Sequence, residues 1–326
     1  MEGISIRHVP ISEIEKEESN FNSNNHSDIP WDEPLLTPAQ YDEILQITRY
    51  SNWKDILLKL GGGGHSVWLS RRDCSLVLEA CQIGMFTGRI PASIAQDIDE
   101  EVTAKVPLPQ RVTATSPEYF VRLDECSTKD GVGGVGPFTT AHEVVKALCT
   151  SKRVGQALKR VLRSTEQRAG TYLHLLPWKP FDETNEFRAF IAQRRLVALS
   201  QYKWKQDLGW SEPSREGSLR EIVAGIETLI GELNQRAQNA GKNMPECYVL
   251  DVHVCLVKSE DEQVWSAARV EPIELNSFGA QMAAGSALFH WIHDHKRLYG
   301  LLDGIEVRVV SSANHGDIDE VENVYK

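Results

Sequence analysis

Two short apolar runs, each carrying acid where a buried strand would prefer none, constrain this chain of 326 residues more than any other feature. The first is Tyr248-Val249-Leu250-Asp251-Val252-His253-Val254, and the second is Val270-Glu271-Pro272-Ile273-Glu274-Leu275-Asn276-Ser277-Phe278-Gly279. β-Branched and apolar residues bounded by turn formers read as strands. Glu274 and Asn276 are two apart, so on a strand their side chains leave the same face. With Asp251 on the neighbouring strand, three oxygen donors converge on one point. Mg²⁺ takes such hard donors, typically one or two carboxylates plus substrate phosphates. The other reading of the same residues is a pair of acids at strand ends, turned to water.

The bulk numbers narrow the partners. A formal net charge of −11 argues against broad binding to nucleic acid or an anionic membrane. A local basic cleft remains open, because Lys152, Arg153, Lys159, Arg160 and Arg163 cluster on one helical pattern. The cysteines (Cys74, Cys81, Cys126, Cys149, Cys247, Cys255) are scattered without a C-x-x-C spacing. That suits reduced thiols and a cytoplasmic or nuclear setting, not a disulfide framework. The polar N-terminus reads as no signal peptide, and no apolar run is long enough to span a bilayer.

Along the chain, residues 1–36 are rich in Glu, Ser, Asn and Asp and read as a mobile acidic arm. A mainly helical region is expected over 37–115. Thr37-Pro38-Ala39-Gln40 opens it with a capping box, and the first helix turns Tyr41, Ile44, Leu45 and Ile47 inward. Further helices are expected at Trp53–Leu60, Asp73–Ile83 and Ala92–Val102. Gly61-Gly62-Gly63-Gly64 follows a helix and lacks Gly-Lys-Ser/Thr, so it reads as a flexible turn and not a P-loop.

An α+β core is expected over 116–310, with antiparallel and mixed sheets and flanking helices. It starts with the strand Tyr119–Leu123 and a helix capped by Thr140 and Glu143. A basic helix at 152–168 and strands at Tyr172–Leu176 and Glu186–Ala192 follow. Gln193-Arg194-Arg195 turns the last strand into Leu196–Gln201 as a hairpin. Ser218–Ala240 is one long helix with an apolar stripe, and Ser259–Glu262 is the turn between the acid-bearing strands. Ala287–Lys296 is read as a helix ending in exposed histidines (His290, His293, His295), Gly304–Val310 as the last strand, and 311–326 as a flexible acidic tail. No nucleophile motif supports Ser/His/Asp or Cys/His catalysis.

Four stretches in order resemble the cell division cycle protein 123 family, a branch of the ATP-grasp superfamily. Val121-Arg122-Leu123-Asp124-Glu125-Cys126-Ser127-Thr128-Lys129-Asp130 looks like the family's Pro-Lys-Leu-Asn-Trp-Ser-x-Pro-Lys/Arg-Asp. Glu186-Phe187-Arg188-Ala189-Phe190-Ile191 and Leu196–Gln201 look like its Glu-Phe-Arg-x-Phe-Val hairpin. Leu250–Val254 looks like its Leu-Asp-Val-Tyr-Ile, and Ile273–Gly279 with Ser286–Trp291 like its Ile-Asp-Phe-Asn-Pro-Phe-Gly and Leu-Leu-Phe-x-Trp. The resemblance spans about residues 118–291.

The resemblance implies an ATP-grasp-like fold that binds ATP with Mg²⁺. Asp251, Glu274 and Asn276 would hold the metal. Arg122, where the family has lysine, and Lys129 would meet phosphates. Glu186 and Arg188 on the hairpin would face the nucleotide or its substrate, Arg188 and Lys129 standing as the catalytic candidates. For Glu186 and Arg188 a cross-strand ion-pair role is the other reading. Trp178 would lie near the adenine, or in the core. Two partner readings follow from the resemblance. One is assembly of translation initiation factor two through its gamma subunit. The other is a ligase that joins a small carboxylate to an amine through an acyl phosphate. The chain departs from the family at Leu176-Pro177, at Tyr202-Lys203-Trp204 and at Glu274-Leu275-Asn276-Ser277.

Overall fold

Strand and helix alternate along the chain according to the period of its buried side chains. The computed structural model describes residues 3–22, 35–57, 64–112, 116–165, 169–180, 182–258, 265–282 and 284–312. The glycines at 61–63, the turn at 259–262 and the tail from 313 lie outside them. The strands are β1 (Ile4–Pro10), β2 (His65–Ser70), β3 (Tyr119–Leu123), β4 (Gly170–Pro177), β5 (Glu186–Ala192), β6 (Arg195–Gln201), β7 (Tyr248–Lys258), β8 (Trp265–Asn276) and β9 (Ile305–Ser311). The helices are α1 (Ile11–Lys16), α2 (Pro38–Ile47), α3 (Tyr50–Leu57), α4 (Arg71–Thr87), α5 (Ala95–Glu101), α6 (Ala141–Thr150), α7 (Lys152–Arg163), α8 (Glu216–Asn239) and α9 (His295–Leu298). No helix among the described residues is long and apolar enough to cross a membrane.

The chain divides into two units, Met1–Thr48 with Phe181–Lys326, and Arg49–Pro180. These boundaries differ from the expected ones at 36/37 and 115/116. Composition marks loops, whereas a unit is set by which strands pair, and that pairing is non-local.

The first unit is a six-stranded mixed sheet in the order β1-β9-β6-β5-β7-β8. β5 pairs antiparallel with β6 and β7, and β7 with β8, while β9 runs parallel to both β1 and β6. The expected hairpin is present: Gln193 and Arg194 turn it at φ of 52° and 62°, both in the left-handed region. A two-residue turn of that hand matches the twist of the flanking strands. α8 packs on β8 and β6, burying Leu219, Ile222, Val223, Ile226, Leu229, Ile230 and Leu233. A Cβ on Gly225 would come within 2.7 Å of the Val270 side chain, so only glycine lets the helix lie this close to β8.

Three expectations for this unit need correction. Residues 1–36 are not all a mobile arm, because Ile4–Pro10 pairs with β9 along its whole length and Val9 is fully buried. Its alternation is short and set among polar residues, and its partner lies about three hundred residues away in sequence. Ala287–Lys296 is mostly turn, with helix only from His295, and His290 is buried, not exposed. α2 has its capping box, yet Tyr41, Ile44 and Leu45 are only half-buried and Ile47 is exposed.

The second unit is the three-stranded antiparallel sheet β2-β4-β3 with helices packed on it. Its core joins Leu69, Val121, Leu123 and Leu173 to α4, α6 and α7 through Val77, Val144, Leu148, Val154 and Leu158. The expected capping box of Thr140 and Glu143 opens α6, and a second one, Ser70 with Asp73, opens α4.

Candidate functional site

The register of three strands builds the central cluster. Arg188 on β5 stands opposite Asp251 on β7, which stands opposite Glu274 on β8. Asn276 follows two residues on, and a bulge between Asp251 and Val252 adjusts the β7–β8 register just past the pair. The Arg188 guanidinium grips Asp251 bidentately: Nε donates to Oδ1 at 2.8 Å and Nη2 to Oδ2 at 2.8 Å. Asn276 Nδ2 donates to Asp251 Oδ2 at 3.0 Å and to Glu274 Oε1 at 3.2 Å. The expected convergence of Asp251, Glu274 and Asn276 is thus present, with Arg188 joined to it.

The rest of the face holds this cluster in place. Arg188 Nη1 donates to the Gly285 carbonyl at 2.6 Å. The loop around Gly285 is pinned by Asn22, whose Oδ1 accepts from the Ala287 amide and whose amide donates to the Ala287 carbonyl. Phe190, Val249, Phe289 and Trp291 form apolar packing beside it. Burial alone would lower the Arg188 pKa, but the Asp251 charge and hydrogen bonds outweigh it, so the guanidinium stays charged. The Tyr202 ring lies under that guanidinium at 4.9 Å. Burial pushes the Tyr202 phenol up, Arg188 opposes this, and the carboxylates of Asp251, Glu186 and Glu274 add to it.

The donor set matches a hard divalent cation. One carboxylate of the two is neutralised by Arg188, which leaves the cluster acidic without placing two bare charges together. Asn276 faces the acids through its amide nitrogen; a half-turn of the amide brings its oxygen to the same place. Glu274 and Asn276 are half-buried, at the open side of the cluster, and Asp251 is fully buried. Glu186 lies on the same strand face as Arg188, opposite His253.

The remaining sequence candidates belong to the second unit. Arg122 on β3 is buried, its Nε donating to the Leu123 carbonyl at 3.2 Å and its guanidinium 4.6 Å from the Tyr50 ring centre. Lys129 is exposed in the turn after β3. Trp178 is half-buried just past β4, its amide donating to the Glu118 carbonyl at 2.8 Å. Asp130, from the same motif, accepts from Ser151 Oγ and the Arg153 amide at the start of α7. The basic face of α7 is partly spent, since Arg160 pairs with Glu125 at 2.8 Å.

Sequence reading missed a polar line through this unit. Ser66 Oγ lies 2.9 Å from His174 Nδ1, and His174 Nε2 lies 2.9 Å from Asp124 Oδ1. Burial would raise the Asp124 pKa, but His174, the Ser51 amide and the Tyr172 amide bring it down to about 2. Ser66 also accepts from Lys54 Nζ at 3.1 Å and sits within a strand, not on the sharp strand-to-helix turn of a nucleophile elbow. The line serves to anchor Asp124, which ties α3 to β4. Its only sequence signal was the acid after Leu123; nothing marked Ser66 or His174.

No family model matches the sequence, and no curated protein matches it. Solved structures do. Cdc123 from Schizosaccharomyces pombe, in a C-terminally truncated form, aligns with a TM-score of 0.56 at 19% identity, over 86% of this chain and 100% of that one. A second structure of the same Cdc123 aligns with a TM-score of 0.56 at 18% identity and the same coverage. The chain has the Cdc123 fold. The likeness to Cdc123 is one of architecture, an α+β fold of mixed and antiparallel sheets with flanking helices, carried by a divergent sequence. It extends well beyond residues 118–291, where the sequence motifs lie.

Proposed function

We propose that this chain binds ATP with Mg²⁺ in the manner of an ATP-grasp protein, through Asp251, Glu274 and Asn276. The observation that carries the reading is the Arg188–Asp251–Asn276–Glu274 cluster: hard oxygen donors on adjacent strands, one carboxylate held rigid by a bidentate arginine. When bound, Mg²⁺ would screen the phosphate charge of the nucleotide. Arg188 orients Asp251, and Asn276 links the two acids. The family resemblance assigns Arg122 and Lys129 to phosphate and Trp178 to adenine.

In this reading the chain acts as an assembly chaperone, with nucleotide as a structural or switching ligand and the gamma subunit of translation initiation factor two as its partner. Tyr202 favours a second reading. It stands at one of the departures from the family motif and covers the Arg188 guanidinium. A residue changed at that position alters what can approach Arg188, which suits a ligase acting on a small carboxylate and an amine.

Thermal unfolding with and without Mg-ATP tests the binding. Saturating nucleotide at about a hundred times Kd stabilises the parent by about 2.7 kcal/mol. The rise in Tm should vanish in Asn276→Ala, and an equal rise in that variant would defeat the proposal. Capture of the gamma subunit then separates the two roles: binding supports the chaperone, whereas no binding together with acid-stimulated ADP release supports the ligase.

A further inference from the structure

Beyond the acid cluster, the same face of the β7–β8 hairpin carries a second set of donors of different chemistry. His253 and Cys255 are two apart on β7 and so leave one face, and Glu271 on β8 stands directly opposite His253. A ring nitrogen, a thiol sulfur and a carboxylate oxygen from these three all lie within 4.8 Å of one another. His253 Nδ1 and Cys255 Sγ are 3.8 Å apart. A tetrahedral Zn²⁺ with Zn–N of about 2.0–2.1 Å and Zn–S of about 2.3 Å sets its N and S donors about 3.6 Å apart. All three residues are half-buried.

We propose that His253, Cys255 and Glu271 form a binding site for a borderline-soft divalent transition metal, Zn²⁺ being the fitting ion, with a fourth position open to water or a ligand. The mixed nitrogen, sulfur and oxygen donors separate it from the all-oxygen cluster at Asp251, which suits Mg²⁺. Burial disfavours the charged imidazole, while Glu271 and the main chain and carboxylate of Asp182 act the other way. On binding, the Cys255 thiol gives its proton to solvent, so thiolate and carboxylate together balance the dication. Arg269 pairs with Glu271 and stands opposite Cys255, and the ion must share that carboxylate with it. The site clasps the two strands that also carry Asp251 and Glu274, so metal there stiffens the hairpin.

Titration of the chelator-stripped full-length protein with Co²⁺, read by absorbance, and with Zn²⁺, read calorimetrically, tests this. One Co²⁺ should bind with a thiolate charge-transfer band in the near ultraviolet. Cys255→Ser should abolish that band, and His253→Ala should weaken Zn²⁺ by at least about 10-fold. Cys247→Ser, which removes the exposed thiol, should change neither. Alkylation mapping on the unmodified parent gives the same answer without any variant: Zn²⁺ should protect Cys255 and leave Cys247 reactive. Absence of a thiolate band, an unchanged Zn²⁺ affinity in Cys255→Ser, or protection of Cys247 in place of Cys255 would overturn the proposal.

Discussion

Arg188 shows what a single residue contributes and what a sequence reveals about it. Its place on the β5 face follows from strand period. Its partner does not, because Asp251 is brought opposite only by sheet register. The ion pair envisaged for the hairpin therefore runs across β5 and β7. Removing one member of a buried pair strands the other charge. Arg188→Ala should cost about 3–5 kcal/mol in urea unfolding, and the double change Arg188→Met with Asp251→Leu should cost much less. Equal losses would mean that Asp251 is solvated. Asp124 offers a second test at this scale. Its pKa is lowered to about 2 from an ordinary 3.8, so it binds protons less readily folded than unfolded. The stability it adds, about 2 kcal/mol, is complete above pH 4 and disappears as pH falls towards 2. Urea unfolding from pH 5 to pH 2 should show this loss in the parent and a flatter profile in Asp124→Asn. Parallel profiles would contradict it.

At the level of elements, local signals were read well where chemistry is local. The capping boxes at Thr37 and Thr140 and the long stripe of α8 follow from short-range spacing. β2 escaped notice because it is short and half exposed, and α9 is one turn of an expected longer helix. The β5–β6 turn is strained by its side chains, since Gln193 and Arg194 both adopt positive φ. Replacing the pair by Asn-Gly should stabilise the protein by about 1 kcal/mol, measured as a shift in the urea midpoint with unchanged slope. A loss of stability would show that those side chains hold the turn by contacts of their own.

For the whole molecule, the division into units was the least legible feature. The first unit takes residues from both ends of the chain, with β1 against β9. Such pairing is invisible to composition, by which residues 1–36 read as a mobile acidic arm. Deleting residues 1–10 should instead cost about 2–3 kcal/mol by exposing Val9, the half-buried face of β1 and the edge of β9. Unchanged unfolding of the truncated chain would mean that β1 adds nothing. The acid cluster was legible because it rests on strand period and one cross-strand pair. The arginine clamp, the Asn22 tether and the His253–Cys255–Glu271 set were not, because each depends on register or on distant chain. Calorimetric titration of ATP into the full-length protein at fixed excess Mg²⁺, repeated on Glu274→Gln, tests the metal–nucleotide reading most directly. One ATP should bind the parent, chelation of Mg²⁺ should remove the binding, and Glu274→Gln should weaken it by about 10-fold or more. Identical isotherms for parent and variant, or binding indifferent to Mg²⁺, would contradict it.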